Sequence, residues 1–248
     1  MSKDITNKTA LITGASKRIG KAIALGLASA GANVIVHYHK SKAEAEELAA
    51  EIQEMGPKAW TIQADLSISD DIDHLIDRAY DLAGTINILV NNASAFPRST
   101  LDNLTFDALL DSIKTDAWAP FALSRSFAAK PGAQHIVNML DTRIFSSYDF
   151  SHVAYLSAKH LLGLFTKMLA IKLAPGIAVN AVAPGLILPP EGKGMDYLES
   201  LKDKLPLKRI GNPQQVADAV LYLVSSEFIT GQVIFVDGGR HLNEANSG

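Results

Sequence analysis

Runs of β-branched and aliphatic residues alternate with stretches of helical period along nearly the whole sequence, and this alternation constrains the fold more than any other feature. Consecutive strands joined by helical crossovers run parallel. Such a sheet is covered by helices on both faces. The sequence therefore predicts an α/β fold built on a doubly wound, seven-stranded parallel sheet with helices on both faces.

The predicted strands are the apolar runs at residues 9–13, 33–37, 59–63, 86–90, 134–139, 177–182 and 232–236. The predicted helices occupy residues 20–30, 42–55, 69–82, 105–129, 154–173 and 213–225. Asn212 and Pro213 open the last helix as a cap residue and a proline in the first helical position. Residues 186–208 follow the sixth strand and are too long for a plain connection, so we expect them to form a substrate lid.

Composition narrows the classes of protein to consider. The 248 residues, 48% hydrophobic and 20% charged, are typical of one globular domain, which we expect to span residues 1–248. The net charge of -3 gives no reason to expect nucleic acid or an anionic membrane as a partner. The absence of cysteine excludes disulfides and thiolate metal sites. Since the sequence shows neither an apolar leader nor a spanning stretch, we expect a cytoplasmic enzyme.

A glycine-containing turn, TGASKRIG, joins the first strand to the first helix. Gly14 lets the chain leave the strand sharply, and Gly20 lets the helix N-terminus approach the sheet and offer free N–H groups to a pyrophosphate. Two glycines alone are also compatible with an ordinary βα turn. The position of this turn, after the first strand and before the first helix, favours a dinucleotide site.

No acidic residue follows the second strand, where NAD-binding folds place an Asp or Glu against the ribose 2′-hydroxyl. The stretch VHYHKS offers imidazoles, an ammonium group and a hydroxyl instead, and these donors suit the 2′-phosphate of NADPH. The cofactor residues expected from this stretch and the turn are Gly14, Lys17, Arg18, Ile19, Gly20, His37, His39, Lys40 and Ser41. His37 and His39 share a strand face, but no third ligand is evident, so we expect no metal site.

Tyr155 and Lys159 lie four positions apart and project from one face of a helix that begins near residue 154. A phenol with a usual pKa of about 10 transfers protons poorly at neutral pH unless an adjacent ammonium group favours its ionised form. Taken alone, this spacing also fits a surface pair on an amphipathic helix. Its place after the fifth strand, downstream of a dinucleotide turn, favours a catalytic pair.

Two further motifs complete the pattern: NNA at residues 91–93 ends the fourth strand, and Pro184-Gly185 ends the sixth. Together with the turn and the Tyr-Lys pair, they make the chain resemble the short-chain dehydrogenase/reductase family along nearly its whole length, which implies a Rossmann-like fold. In the turn, Arg18 replaces the middle glycine of the family signature. The resemblance implies a proton-donating role for Tyr155, and a Lys159 that holds the nicotinamide ribose and tunes Tyr155. It also implies cofactor contacts from Asp65, Leu66, Asn92, Ala93, Pro184, Gly185 and Leu186.

Two positions depart from the family pattern. The catalytic serine lies three residues after the asparagine of the fifth strand, and counting from Asn138 reaches Asp141. The asparagine expected on the fourth crossover helix is replaced by Asp116. Pteridine reductases and dihydromonapterin reductases show an acid at the serine position, and the chain resembles them also in TGASKRIG, HYHKS, QADLS, NNASAF and DGGRHL.

By this closer resemblance, Phe96 stacks on a pterin ring, Ser94 contacts the pterin or a cofactor phosphate, and Asp141 works with Tyr155. Chemistry agrees, because a pterin presents N–H donors that a carboxylate accepts and ring nitrogens that need a proton as hydride arrives. A ketone oxygen that gains negative charge would be repelled by a carboxylate. Arg98 faces either the substrate or solvent.

The interval from Asp141 to Tyr155 is fourteen positions, one more than is usual in the family, which suggests an insertion in the intervening loop. Thr142 lies at thirteen and is an alternative source of a hydroxyl. The alternative for Asp141 is a loop acid that makes a turn. The alternative for Phe96 is an aromatic side chain that packs in its loop.

Three functions remain open at this stage. The favoured one is an NADPH-dependent reductase of a dihydropterin, of the dihydromonapterin or dihydrobiopterin type, with dihydrofolate as a further candidate. The others are a generic carbonyl or 3-oxoacyl reductase and a non-catalytic NADPH-binding regulator. The apolar residues of the helix at 154–173 lie on more than one face, which favours a homotetramer. The alternative is that other helices of the same chain cover these apolar faces.

Overall fold

The structure, a computed structural model, describes residues 4–144, 150–190 and 192–242. Its strands are β1 (Thr9–Ile12), β2 (Asn33–Tyr38), β3 (Ala59–Gln63), β4 (Ile88–Asn91), β5 (His135–Met139), β6 (Ala178–Pro184) and β7 (Val233–Val236). Its α-helices are α1 (Arg18–Ser29), α2 (Lys42–Glu54), α3 (Ser69–Ala83), α4 (Phe106–Ile113), α5 (Ala119–Ala128), α6 (Val153–Lys172), α7 (Met195–Glu199) and α8 (Pro213–Val224). The capping box of Asn212 and Gln215 confirms the predicted start of α8.

The strands form one parallel sheet in the order β3-β2-β1-β4-β5-β6-β7. Ala10 of β1 pairs with Val34 of β2 on one side and with Ile88 of β4 on the other. The strand order reverses between β1 and β4, and ligands of open α/β sheets bind at the carboxyl ends of the strands beside such a point. The predicted seven-stranded, doubly wound sheet is confirmed.

Two apolar layers sandwich the sheet. In β1, Ala10 and Ile12 belong to the layer that contains α1, α2 and α8, whereas Leu11 belongs to the layer that contains α3 and α5. Successive side chains of a strand point to opposite faces, so burial on both faces requires an unbroken apolar run rather than an alternating one. This requirement explains why the strand segments read as continuous aliphatic stretches.

The helix predicted over 105–129 is divided into α4, a π-helical turn at Lys114–Trp118, and α5. Pro120 has no N–H group to donate to the carbonyl of Asp116, four residues earlier. A widened turn accommodates the missing hydrogen bond, and single π-helical turns of this kind are frequent at functional sites. Asp116 lies in this turn and is fully buried.

The predicted lid contains α7 and a small apolar cluster of Leu186, Leu198 and Leu205. Arg18 reaches this segment from the glycine turn, where its Nη2 donates to the carbonyl oxygen of Pro189 at 2.6 Å. An insertion was suggested between Asp141 and Tyr155, and residues 145–149 of this interval lie outside the described residues. Within the part of the chain that the structure describes, no helix is long and apolar enough to cross a membrane.

Phe127 of α5 is fully buried in the second layer, whereas Phe228 is fully exposed. Because truncating a buried aromatic side chain removes its burial and leaves a cavity, we expect Phe127→Ala to lower the free energy of unfolding by about 3–5 kcal/mol. Phe228→Ala is the matched control, with an expected change within about 0.5 kcal/mol. Urea unfolding measures both, and equal losses would contradict this assignment of the core.

Candidate active site

The floor of the site is the junction between β1 and β4. The Oγ1 atom of Thr13 accepts the backbone N–H groups of Asn92 and Ala93 at 2.9 and 3.0 Å. In return, Asn92 Nδ2 donates to the carbonyl oxygens of Thr13 and Gly14 at 2.9 and 3.0 Å. A Cβ atom on Gly14 would lie 2.9 Å from the Cα of Ala93, so only glycine permits this approach. The residues predicted from the turn and from β4 therefore meet.

The glycine turn leaves the start of α1 open to an anion. Lys17 precedes the helix without making a side-chain cap, and the first turn contains no acidic residue. A Cβ on Gly20 would lie 2.2 Å from the Gly14 carbonyl oxygen, so glycine is required for the helix to come this close to the turn. Arg18 holds a φ of 56° at the position where the family has glycine. Free helical N–H groups beside basic side chains fit a dinucleotide phosphate.

His37, predicted from the sequence to contact the cofactor, lies inside the protein. Its side chain is buried, and Nδ1 accepts the N–H of Gly14 at 3.0 Å. Burial lowers the pKa of His37 to about 4, so the imidazole is neutral and Nδ1 stays an acceptor. His37 therefore supports the turn from beneath instead of contributing charge to a phosphate site, because the packed sheet encloses its side of β2.

The remaining residues at the end of β2 lie at the surface. His39 Nε2 lies 3.1 Å from Asp65 Oδ2, and Lys40 is exposed beside the partly exposed Ser41. Lys17 lies across the turn and pairs with Glu44 of α2 at 2.6 Å. These donors fit the 2′-phosphate of NADP.

Four further predicted cofactor residues lie after β3 and at the end of β6. Leu66 is buried beside Asp65. Gly185 follows β6, where its N–H donates to the carbonyl oxygen of Val236 at 3.0 Å and a Cβ would lie 2.6 Å from that of Asp237. Pro184 ends β6, and Leu186 packs in the cluster of the predicted lid. Within the described ranges, no group of three or more His, Asp or Glu side chains is arranged to hold a metal ion.

Tyr155 and Asp141 are brought together. The Tyr155 hydroxyl donates to Asp141 Oδ2 at 3.2 Å. Arg143 holds the same carboxylate with Nε to Oδ1 at 2.9 Å and Nη2 to Oδ2 at 2.7 Å, and its backbone N–H donates to Oδ1. No motif in the sequence marks Arg143. Its only signal there is a position two residues after an acid at a strand end.

Burial raises the pKa of Asp141, but the hydrogen bonds and charge of Arg143 outweigh burial and leave that pKa below its usual value. Burial also raises the pKa of Tyr155 well above 10, and the Asp141 carboxylate raises it further. The site thus combines an ionised carboxylate with a protonated phenol. A phenol in this state can donate a proton, and the carboxylate can accept hydrogen bonds.

Thr142 is not the alternative hydroxyl. Its side chain is buried, and Oγ1 donates to Asp237 Oδ2. Asp237 also accepts the backbone N–H groups of Gly239 and His241 at 2.9 and 2.8 Å. Thr142 therefore anchors the C-terminal segment, whereas Asp141 is the residue that contacts Tyr155.

Residues 92–105, here called the substrate loop, place Phe96 beside Tyr155. The Phe96 ring stacks on His152 with centroids 3.9 Å apart and meets Tyr155 edge-on at 4.8 Å. The Arg143 guanidinium lies 5.1 Å from its centroid. Phe96 and Ser94 are exposed on the loop, and Arg98 is exposed two positions further along.

Ser99 joins the substrate loop to the start of α6 and was not anticipated from the sequence. Its backbone N–H donates to Ser151 O, its carbonyl oxygen accepts the N–H of Val153, and its Oγ accepts the N–H of Ala154 at 3.0 Å. His152, the residue before α6, makes no side-chain cap, so the cap comes from another part of the chain. This tie sets Phe96 beside Tyr155.

Comparison with known proteins places the chain among reductases of one family. A family model described as enoyl-(acyl carrier protein) reductase matches residues 14–241. The chain is 34% identical to 3-oxoacyl-[acyl-carrier-protein] reductase FabG of Staphylococcus epidermidis, covering 95% of this chain and 100% of that protein. It is 33% identical to pteridine reductase 1 of Leishmania tarentolae, covering 99% of this chain and 100% of that protein.

A solved structure shows the same fold with a cofactor. The chain is similar to FolM alternative dihydrofolate reductase 1 from Brucella canis complexed with NADP, with a TM-score of 0.90 and 35% identity. The match covers 99% of this chain and 98% of that one.

The cap supplied by Ser99 is open to a direct test. Removing the hydroxyl leaves the N–H of Ala154 without its acceptor, so we expect Ser99→Ala to lower the free energy of unfolding by about 1 kcal/mol and to reduce turnover. Ser157→Ala, on the exposed side of α6, is the control, since its hydroxyl bonds only within the helix. Urea unfolding and steady-state kinetics of the two variants make the comparison. Equal behaviour would show that the tie is dispensable.

Proposed function

We propose that this chain, which belongs to the short-chain dehydrogenase/reductase family and is an NADP-dependent reductase, reduces a dihydropterin to the tetrahydro form. Candidate substrates are pterins of the dihydromonapterin or dihydrobiopterin type and dihydrofolate. The similarity to pteridine reductase 1 and to the FolM reductase supports this choice. The similarity to FabG favours a carbonyl or 3-oxoacyl reductase as the second candidate.

The observation that carries the proposal is the Asp141 carboxylate at the Tyr155 hydroxyl. Arg143 keeps that carboxylate ionised in a largely buried place. A negative charge there would oppose the oxyanion that forms when a ketone is reduced. It would accept hydrogen bonds from the amidine-like N–H groups of a pterin. A pterin therefore matches the site better than a simple ketone.

Each residue has a task in this reduction. NADPH, when bound, supplies the hydride. Tyr155 donates a proton to the ring nitrogen next to the carbon that is reduced, and Asp141 orients the pterin through its N–H groups. Phe96 provides an aromatic surface for the ring beside Tyr155. Lys159 is buried below Tyr155 and is proposed to hold the nicotinamide ribose.

The cofactor contacts follow from the turn and the strand ends. Gly14, Ile19 and Gly20 would admit the pyrophosphate to the start of α1, and Arg18, His39, Lys40 and Ser41 would surround the adenosine phosphate. His37 acts only by holding the turn. We further propose that residues 1–248 act as one domain and that residues 186–208 close over the substrate, since Arg18 already connects that segment to the turn.

We also propose that the protein assembles as a homotetramer. Leu164, Met168 and Ile171 form an exposed apolar stripe along α6, with Ile171 82% exposed, whereas Leu162 and Leu169 pack inside the chain. A contact with another subunit would bury this stripe.

A single charged side chain placed in this stripe tests whether the stripe is buried by assembly. We expect Ile171→Glu to break the tetramer into smaller species, because assembly would bury an unpaired carboxylate. Met55→Glu, which changes an exposed apolar side chain at the end of α2, should leave the assembly intact. Analytical ultracentrifugation of the wild type and both variants decides, and a monomeric wild type would overturn the assembly.

Asp141 provides the test of substrate class. We expect Asp141→Ala to lower dihydropterin turnover by about 100-fold while NADPH affinity stays near that of the wild type. Asp141→Ser, which gives the family hydroxyl, should lose pterin turnover and gain activity on ketones. Asp102→Ala removes an exposed loop acid and is the control.

The assay is NADPH oxidation with dihydropterins, a panel of ketones and acetoacetyl thioesters. Ketone or thioester turnover by the wild type without pterin turnover would replace the first candidate by the second. Tight NADPH binding without turnover of any substrate would favour a regulator.

A further inference from the structure

Asp116 is a buried acid that has no task in the reduction proposed above. It lies in the π-helical turn between α4 and α5, and its Oδ1 atom is approached by three donors. Ser94 Oγ donates to it at 2.5 Å, the N–H of Ala95 at 3.3 Å, and Lys159 Nζ lies 3.5 Å away. One oxygen atom therefore contacts both the substrate loop and the helix that carries Tyr155.

The pair of Asp116 and Lys159 is closed to water. The side chain of Asp116 is 0% exposed and that of Lys159 is 2% exposed, so solvent screens their charges little. Lys159 Nζ also donates to the carbonyl oxygen of Met139 at 2.9 Å. An asparagine, as the family pattern has at position 116, would leave the charge of Lys159 unopposed beside Tyr155.

The second carboxylate oxygen of Asp116 is unfavourable for the stability of the folded protein. Asp116 Oδ2 is buried without a hydrogen-bond partner among the described residues. An unsatisfied buried acceptor is unfavourable, so the acid is a poor choice for stability alone. Burial raises the pKa of Asp116 above its usual value, although the charge of Lys159 and the hydrogen bond from Ser94 oppose this effect.

Several charged groups act on Tyr155 from the elements packed around it. They are Asp141 and Arg143 after β5, Asp116 in the π-helical turn, Lys159 on α6, and Arg240 near the C-terminus through its effect on Asp141. Burial raises the pKa of Tyr155 most, the two carboxylates raise it further, and Arg143 opposes them. Asp116 is the carboxylate that also contacts Lys159.

We propose that Asp116 is a positioning residue that fixes the substrate loop to Lys159 and offsets the charge of Lys159, so that Tyr155 stays protonated for reduction. The loop contact, through Ser94, holds Phe96 at the edge of Tyr155. The charge contact limits how far the buried ammonium group of Lys159 favours the phenolate form of Tyr155. The effect on pterin kinetics rests on the proposed function. The effect on Tyr155 itself needs only the NADPH-bound protein.

Asp116→Asn tests the charge at nearly constant volume. The Tyr155 phenol is titrated by NMR in the NADPH complex of protein with isotope-labelled tyrosine, and Tyr155→Phe assigns the signal. Removing a negative charge should let the phenol ionise about one pH unit lower than in the wild type, and the alkaline limb of dihydropterin turnover should move the same way. An unmoved phenol titration would overturn the proposal. Because the titration uses no pterin, its outcome is independent of whether the substrate is correct.

Ser94→Ala separates the loop contact from the charge. It removes a donor to Asp116 but leaves both buried charges, so we expect the KM for dihydropterin to rise about fivefold while the phenol titrates as in the wild type. A phenol shift as large as that of Asp116→Asn would refute the division into two tasks.

If Asp116→Asn does not fold, Asp116→Glu replaces it, since the charge is kept and only its position changes. The phenol should then titrate as in the wild type with a raised KM for dihydropterin. A phenol that ionises at lower pH in this variant would overturn the proposal.

Discussion

The reciprocal hydrogen bonds between Thr13 and Asn92 are the contact on which the site depends. They join the end of β1 to the end of β4, at the point where the strand order reverses. Gly14 makes the junction tight, and His37 supports it from below. With these two strand ends fixed, the glycine turn and the substrate loop start side by side from the ends of β1 and β4. The chemistry of the enzyme is then decided by the residues that β5 and α6 bring to this edge of the sheet.

Paired charges distinguish this site from one built around a hydroxyl. Asp141 is paired with Arg143, and Asp116 is paired with Lys159, so each buried carboxylate has a cation beside it. Buried ions require such partners because the low dielectric surroundings penalise an isolated charge. Tyr155 lies between the two pairs and stays a phenol. A site of this kind offers a proton and an acceptor together, which suits a heterocycle with N–H groups.

The sheet was predictable because burial on both faces requires a continuous apolar run in every strand. Most helices were predictable from the helical period of the segments between these runs. The Tyr155–Asp141 contact was also predicted, but from the resemblance to pteridine reductases rather than from a local pattern. Four features were not predictable. The inward position of His37 depends on how far along β2 the packed layers extend, since His37 is buried and His39, two positions later, is exposed. The π-helical turn depends on a proline whose missing N–H has no periodic signature. Ser99 acts through contacts with a segment more than fifty positions later in the chain, and Arg143 acts through a side-chain contact only two positions away that has no motif of its own.

The cap that Ser99 supplies has a consequence for how the protein opens. Three hydrogen bonds connect this one residue to the segment before α6 and to its first turn. Breaking them frees the loop and the helix start at once, so the two segments share one local opening equilibrium. Amide exchange at Val153 and Ala154 thus reports the motion of a loop more than fifty positions earlier in the chain. Substrate binding that orders the loop would slow exchange at the helix, although the helix itself had not changed.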